Sequence, residues 1–281
     1  MKENLLNESI NLKILSSILK KGYYLVKTKY SSSDQAIFRV ITNFKYKNLN
    51  KKKGYSIDIF DQLGSKIIKE IYSFVKKQFN RNEWIKQYIF LPKILKVEVL
   101  CSTYNNLDSK IPTRAMLWHR DADDIFGHIK MIIPISKINK NNGMFSCLSR
   151  IHCHRLQYLR DKKFIKSLKN KNKYYKADQS RLSDPTIRKH FSKDIFDFKS
   201  AGDDILFIDT NNCYHKGGQV LKKHSKRYMI IVTIGSITHS FNSYFSEKRF
   251  NFIKMIARSM KIYKKITLNI EMIFKEKIIN L

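Results

Sequence analysis

The sequence predicts an α+β fold, mainly β, in which a sandwich or barrel of short strands carries helices at both ends. Three observations predict it. From Pro92 onward the segments "ILKVEVLCSTY", "HIKMIIPIS", "GMFSCLS", "DILFIDT" and "RYMIIVTIG" are β-branched, partly alternating and separated by Asn, Asp and Gly turns. On either side of that stretch the apolar residues recur at helical spacing instead. With 281 residues, 43% of them hydrophobic, the chain is long enough to bury a sizeable core. It is read as one domain over 1–281: helices and strands in 1–91, the β core in 92–240 with an insertion at 151–200, and helices in 241–281.

Leu5, Leu6, Ile10, Ile14, Ile18 and Leu19 give the first helix, Gly22 stops it, and "YYLVKT" follows as a strand. "NFKYKNLNKKKGY", Asn43 to Tyr55, is polar and loop-like. Between Gly54 and Asn80 a second amphipathic helix aligns Phe60, Leu63, Ile67, Ile71 and Phe74 on one face. In the β region, Pro134 falls inside a strand segment and predicts an edge or a bulge there. The Lys-rich stretch from Ile151 to Ser200 has helical patches such as "RLQYLRDKKFIKSL", and long insertions on a rigid scaffold commonly carry function. After Ser240, Ile253, Ile256, Met260 and Tyr263 fall on one face of a basic helix, expected to pack on the sheet rather than lie on a membrane.

Lysine and arginine number 55 against 23 acids, a formal charge of +32, which suits a nucleic acid, an acidic membrane surface or an anionic substrate. The lysines are dispersed among Asn and Ile with no compact Arg-rich block, a texture that an AT-rich coding sequence also produces and that argues against a specific nucleic-acid footprint. Cys101, Cys147, Cys153 and Cys213 show no Cys-x-x-Cys spacing, which fits a reducing compartment. The first residues do not read as a signal peptide, and no apolar run reaches bilayer length. The expectation is a soluble, cytoplasmic protein.

The chemistry concentrates in "LWHRDADD", Leu117 to Asp124. His119 and Asp121 are two apart, so on an extended segment their side chains leave one face and converge on one point. Downstream, "GDDILFIDTNNCYHKGG" is a strand running into a turn, with His215 just before Gly217 and Gly218. His215 brought beside the first pair completes two imidazoles and one carboxylate, the facial triad that leaves open positions on non-haem Fe(II). Such a centre needs an anionic co-substrate and a cation for its far carboxylate. Arg227, twelve positions after His215, fits that need at the start of "RYMIIVTIG", expected to run antiparallel to the strand bearing His215. Asp123 and Asp124 are read as capping the following turn or binding solvent.

In this order and context, "LWHRDADDIFGHIKMIIPISKINKNNGMFSCLSRIH", "AGDDILFIDTNNCYHKGG" and "RYMIIVTI" resemble the phytanoyl-CoA dioxygenase family of Fe(II)/2-oxoglutarate oxygenases. The resemblance spans Leu95 to Ile234. It implies a double-stranded β-helix, or jelly roll, with iron on His119, Asp121 and His215 and the distal carboxylate of 2-oxoglutarate on Arg227. It also implies hydroxylation of a small molecule, with release of succinate and carbon dioxide. Asp121, where an Ala or Gly would admit a halide, favours hydroxylation over halogenation. Lys130 opens "KMIIPI" as the family's lysine does and either faces the same anion or faces solvent; Trp118 is expected to pack beside the metal. Two departures are "LSRIH", where the family's proline-glycine-serine-histidine ending keeps only His152, and Pro134.

Rival readings stay open at this level. "HCHR", His152 to Arg155, offers two histidines around a cysteine for zinc but lacks a second ligand pair. A nucleic-acid demethylating dioxygenase would carry a second arginine six residues beyond the anchoring one, where this chain has Thr233. A non-catalytic jelly-roll binding protein and a basic surface-binding protein are the remaining alternatives. The segments at Leu49 to Gly54 and His154 to Ser200 are the places to look for substrate contacts.

Overall fold

A computed structural model describes residues 2–45, 56–104, 116–121, 128–156, 182 and 184–236. Chain contacts divide the molecule into Met1–Ser236 and Ile237–Leu281, and every described residue lies in the first unit. The expected C-terminal helix, Asp123, Asp124 and the loop at Leu49 to Gly54 lie outside the described residues, as does 157–181 of the insertion.

Helix α1, Lys2–Lys21, ends where Gly22 adopts φ 79° and its amide donates to the Ile18 carbonyl at 2.8 Å. Strand β1, Tyr23–Lys27, follows as read from the sequence. Helix α2, Ser32–Asn43, is an addition to that reading. Its signal is a capping box: Asp34 N donates to Ser31 Oγ at 3.2 Å, and Ser31 N donates to Asp34 Oδ2 at 3.0 Å. Behind the box, Ile37, Phe38 and Ile41 are buried at helical spacing.

The second expected helix is shorter than its apolar pattern suggests. Phe60 sits in a 3₁₀ turn, Phe60–Gln62, while Leu63 is extended, and helix α3 begins only at Ser65 and runs to Arg81. Asp58 Oδ1 explains the break, because it accepts from Phe60 N at 3.1 Å and from Val99 N at 3.0 Å and so ties the turn to a strand. Phe38 of α2 and Phe74 of α3 meet edge to face at 5.4 Å between centroids. A short helix α4, Trp84–Tyr88, leads into the β region.

The strands are β2 (Ser56–Asp58), β3 (Pro92–Thr103), β4 (His128–Pro134), β5 (Phe145–Leu148), β6 (Ile195–Phe198), β7 (Asp204–Ile208), β8 (His215–Lys216) and β9 (Lys226–Ser236). A further helix, α5, spans Asp184–Phe191. The larger sheet runs β1-β7-β4-β9-β3-β2 and the smaller β6-β5-β8, all antiparallel. An isolated bridge of His119 to His215 extends the smaller sheet, and a bridge of Trp118 to Leu182 extends it again. From Pro92 onward the chain visits the larger sheet at β3, the smaller at 118–119, the larger at β4, the smaller at β5 and β6, and then β7, β8 and β9 in alternation. That alternation is a double-stranded β-helix, the jelly roll that the resemblance implied.

Because side chains alternate along a strand, the larger sheet has two apolar faces. Val97, Val99, Ile129, Met131, Ile133, Ile205, Phe207, Ile230 and Val232 pack with the helices on one of them. Ile132, Leu206, Ile208 and Met229 pack on the other with Phe145 and Phe198 of the smaller sheet. His128, Lys130 and Ile132 share that inner face by their period of two.

Pro134 is the last residue of β4 and is paired with Met229 of β9, while the pairing with β7 stops at Ile132, so at the proline the strand is bonded on one side only, the local edge expected. Just beyond it, Ile135 N and Ser136 N both donate to the Tyr228 carbonyl, at 3.0 and 3.4 Å. A register shift falls in β3, between Ile94 and Lys96. A helix over 150–156 leads into the Lys-rich stretch, whereas β6 within that stretch is a strand of the smaller sheet.

Candidate metal centre

His119 and His215 are joined by two main-chain bonds, His119 N to His215 O at 2.9 Å and His215 N to His119 O at 2.8 Å. In such a hydrogen-bonded antiparallel pair both side chains leave the same face. Their ring centroids are 4.4 Å apart. His119 Nδ1 donates to the Leu117 carbonyl at 2.8 Å and His215 Nδ1 to the Cys213 carbonyl at 3.1 Å. A carbonyl only accepts, so each Nδ1 carries the proton and each Nε2 presents a lone pair. Asp121 Oδ1 lies 3.9 Å from His119 Nε2 and 3.7 Å from His215 Nε2. One ligand atom from each of the three residues lies within 4.8 Å of the others, and this His-Asp-His group is the one metal-type cluster among the described residues.

Asp121 is held at both ends. Its main-chain amide donates to the Thr210 carbonyl at 3.0 Å. Its Oδ2 meets Lys130 Nζ at 2.6 Å and His128 Nε2 at 3.4 Å, and His128 Nε2 is itself 2.9 Å from Thr210 Oγ1. Burial alone would push the Asp121 carboxyl up, but His128, His215 and Lys130 outweigh it and hold the group well below the usual carboxylate range. Burial pushes His215 down to about 3, against the opposing pull of Asp121. His215 is therefore uncharged at neutral pH, while Asp121, hydrogen-bonded by His128 and paired with Lys130, stays ionised. A neutral imidazole beside a carboxylate is the protonation state that a divalent cation requires.

Arg227 is only 2% exposed and lies opposite Ser102 in the β3–β9 register. Its Nη2 donates to Ser102 Oγ at 2.9 Å, and its Nη1 donates to the Gly218 carbonyl at 3.3 Å and to the Gly143 carbonyl. The expected strand relation needs correcting. β9 lies between β3 and β4 in the larger sheet, whereas His215 belongs to the smaller, so the two strands are not neighbours. Arg227 instead reaches the segment just beyond His215. Two glycines make the approach possible, since a Cβ on Gly143 would lie 2.7 Å from Arg227 Nη1 and one on Gly218 2.0 Å from the Met144 carbonyl oxygen.

The other sequence candidates fall as follows. Lys130 puts its amine on Asp121, a contact that the sequence reading did not contain. Trp118 is fully buried and donates Nε1 to Asp184 Oδ1 at 2.8 Å. In "HCHR", His152 Nδ1 bonds Ser149 Oγ at 2.7 Å and Cys153 Sγ contacts the Leu148 carbonyl at 3.2 Å, and these residues form no metal-type group with others among the described residues. His128, Thr210 and Asp184 were missed. Only His128 had a signal, two residues before Lys130 on the same face of one strand.

No protein-family model and no curated sequence matches the chain. Solved structures do. The epimerase SnoN in complex with Fe3+, alpha ketoglutarate and nogalamycin RO superposes with a TM-score of 0.53 at 12% identity, covering 82% of this chain and 84% of that one. HygX from Streptomyces hygroscopicus, with nickel, 2-oxoglutarate and hygromycin B bound, gives 0.50 at 12% identity over 84% and 88%. A prolyl hydroxylase in complex with a hypoxia inducible factor peptide fragment, from Trichoplax adhaerens, gives 0.50 at 12% identity over 87% and 97%. The likeness is one of fold. No helix among the described residues is long and apolar enough to cross a membrane.

Proposed function

We propose that the protein is an Fe(II)/2-oxoglutarate-dependent oxygenase that hydroxylates a small molecule, with His119, Asp121 and His215 as iron ligands and Arg227 as the anchor of the co-substrate. The observation that carries this reading is the converging set of two Nε2 atoms and one carboxylate oxygen, all within 4.8 Å. Nitrogen and oxygen donors of this kind, three in number, suit a first-row divalent metal with positions left open. When bound, iron and 2-oxoglutarate would supply, with dioxygen as the oxidant, the hydroxylation of a C–H bond, one oxygen atom entering the product and the other the succinate, with carbon dioxide released.

The chain's own residues prepare the site. The Leu117 and Cys213 carbonyls fix the imidazole tautomers, and Lys130 holds Asp121 Oδ2 so that Oδ1 turns to the histidines. Arg227 keeps a permanent positive charge buried against neutral acceptors, a setting in which its planar fork can pair with a carboxylate. Apolar side chains of both sheets pack in the interior beside the site. The neighbours' bound iron or nickel with 2-oxoglutarate, and the motif resemblance to the phytanoyl-CoA dioxygenase family, support the same reading. An anionic substrate suits the charge of +32, and a cytoplasmic location suits four free cysteines. We take the whole chain as one oxygenase domain.

The test is anaerobic addition of Fe(II) and 2-oxoglutarate to the metal-free protein. A weak visible charge-transfer band, absent from His119→Ala, is the expected result. No band with metal loading confirmed would overturn the reading.

A further inference from the structure

The sheet around the two histidines is minimal: β8 is two residues long and the His119–His215 bridge stands alone. One step along the same register, Trp118 faces Lys216, on the opposite face from the imidazoles. Lys216 Nζ lies 5.5 Å from the Trp118 ring centroid, a cation–π contact. One carboxylate joins both. Asp184 Oδ1 accepts from Trp118 Nε1 at 2.8 Å and from Lys216 Nζ at 2.6 Å, while its Oδ2 accepts from Arg188 Nε at 2.8 Å.

The clamp has its own footing. Leu182, two residues before Asp184, exchanges main-chain bonds with Trp118, N to O at 2.9 and 2.8 Å. Beyond Asp184, helix α5 inserts Ile187 and Phe191 into the core, 0% and 2% exposed. Asp184 thus stands on a fixed base and grips the residue before His119 and the residue after His215.

Resting on the reading that His119, Asp121 and His215 hold a metal, we propose that Asp184 is a positioning residue for that centre. It locks the Trp118–Lys216 pair behind the two imidazoles and so sets the separation and tilt of the two Nε2 atoms in front. A group hydrogen-bonded directly to a metal ligand is worth about 10–100-fold in metal affinity elsewhere; Asp184 acts one residue further out, through Trp118 and Lys216, so the lower end of that range applies.

The test uses Co(II) as the probe, titrated anaerobically into the metal-free full-length chain, for wild type, Asp184→Asn, Trp118→Phe and Lys216→Met. Circular dichroism and the thermal midpoint are recorded beside the Co(II) ligand-field spectrum. The expected result is folded variants whose Kd for Co(II) rises about tenfold, with shifted bands, and a Trp118→Phe/Asp184→Asn double variant no worse than its weaker parent. A lowered midpoint with wild-type Kd and bands would overturn the proposal, because Asp184 would then serve stability alone. Wild type that takes up no Co(II) would overturn the metal site and this inference together, whereas wild-type binding matched by every variant would remove only the latter. Should Asp184→Asn not fold, Trp118→Phe and Lys216→Met decide by the same readouts.

Discussion

Arg227 and His215 show how much a single side chain can be asked to do at the interior of a jelly roll. The guanidinium of Arg227 is matched in two directions, to a hydroxyl on β3 and to carbonyls at Gly143 and Gly218. A lysine would keep the charge but lose the planar fork. Arg227→Lys is therefore expected to raise the Kd for 2-oxoglutarate at least about tenfold, while Fe(II) uptake stays within about twofold; titration of the charge-transfer band reads both. Equal loss of the two would make Arg227 a fold residue. The site's protonation was only half visible beforehand. Spacing put His119 and Asp121 on one face, but the Lys130 contact with Asp121 depends on β4 and the 119–121 segment meeting across the interior, which no local pattern encodes.

Among the elements, those with an apolar run or a clear period were legible, down to the four residues of β5, whereas β2, β6 and β8 were not. Strands β3, β4, β7 and β9 and helices α1 and α3 carry enough alternation or helical spacing to declare themselves. β6 and β8 are four and two residues long, too short for a period, and exist because the smaller sheet needs them. α2 was readable from its capping box and was overlooked, since its sequence "SSDQAIFRVITN" begins as a polar run. Ser31→Ala should cost about 1 kcal/mol of stability, seen as a lower urea midpoint with an unchanged slope. The two glycines at the Arg227 approach make a different prediction. Gly218→Ala would place a Cβ 2.0 Å from the Met144 carbonyl oxygen, backbone that cannot step aside, so 2-oxoglutarate binding should fall with Arg227 itself intact. Unchanged binding in Gly218→Ala would show that the turn at Gly143 yields.

For the molecule as a whole, charge and buried phenols set the solution limits. A formal charge of +32 repels itself, and salt screens that repulsion. The thermal midpoint should rise between low ionic strength and about 0.15 M salt; a fall would mean that attractive pairs dominate the surface. At high pH the sign comes from tyrosines. Burial pushes Tyr23 up to about 12 from its ordinary 10, and it lifts Tyr30, Tyr88 and Tyr228 as well. Above pH 10 the unfolded chain loses phenolic protons that the folded chain keeps, so stability should fall as pH climbs through that window. Tyr23→Phe should flatten part of the fall when denaturant midpoints are compared on both sides of pH 10.

The bridge between His119 and His215 also dictates an order of assembly. Its two ends are far apart in the chain, so the pair exists only once long-range contacts have formed. His215 joins His119 and Asp121 only through long-range contacts, so a cation that needs all three does not seed this fold as zinc seeds a finger. The barrel must be finished before it can be loaded. Stripping the ion with a chelator should leave the β circular-dichroism spectrum standing, an empty vessel ready to be refilled.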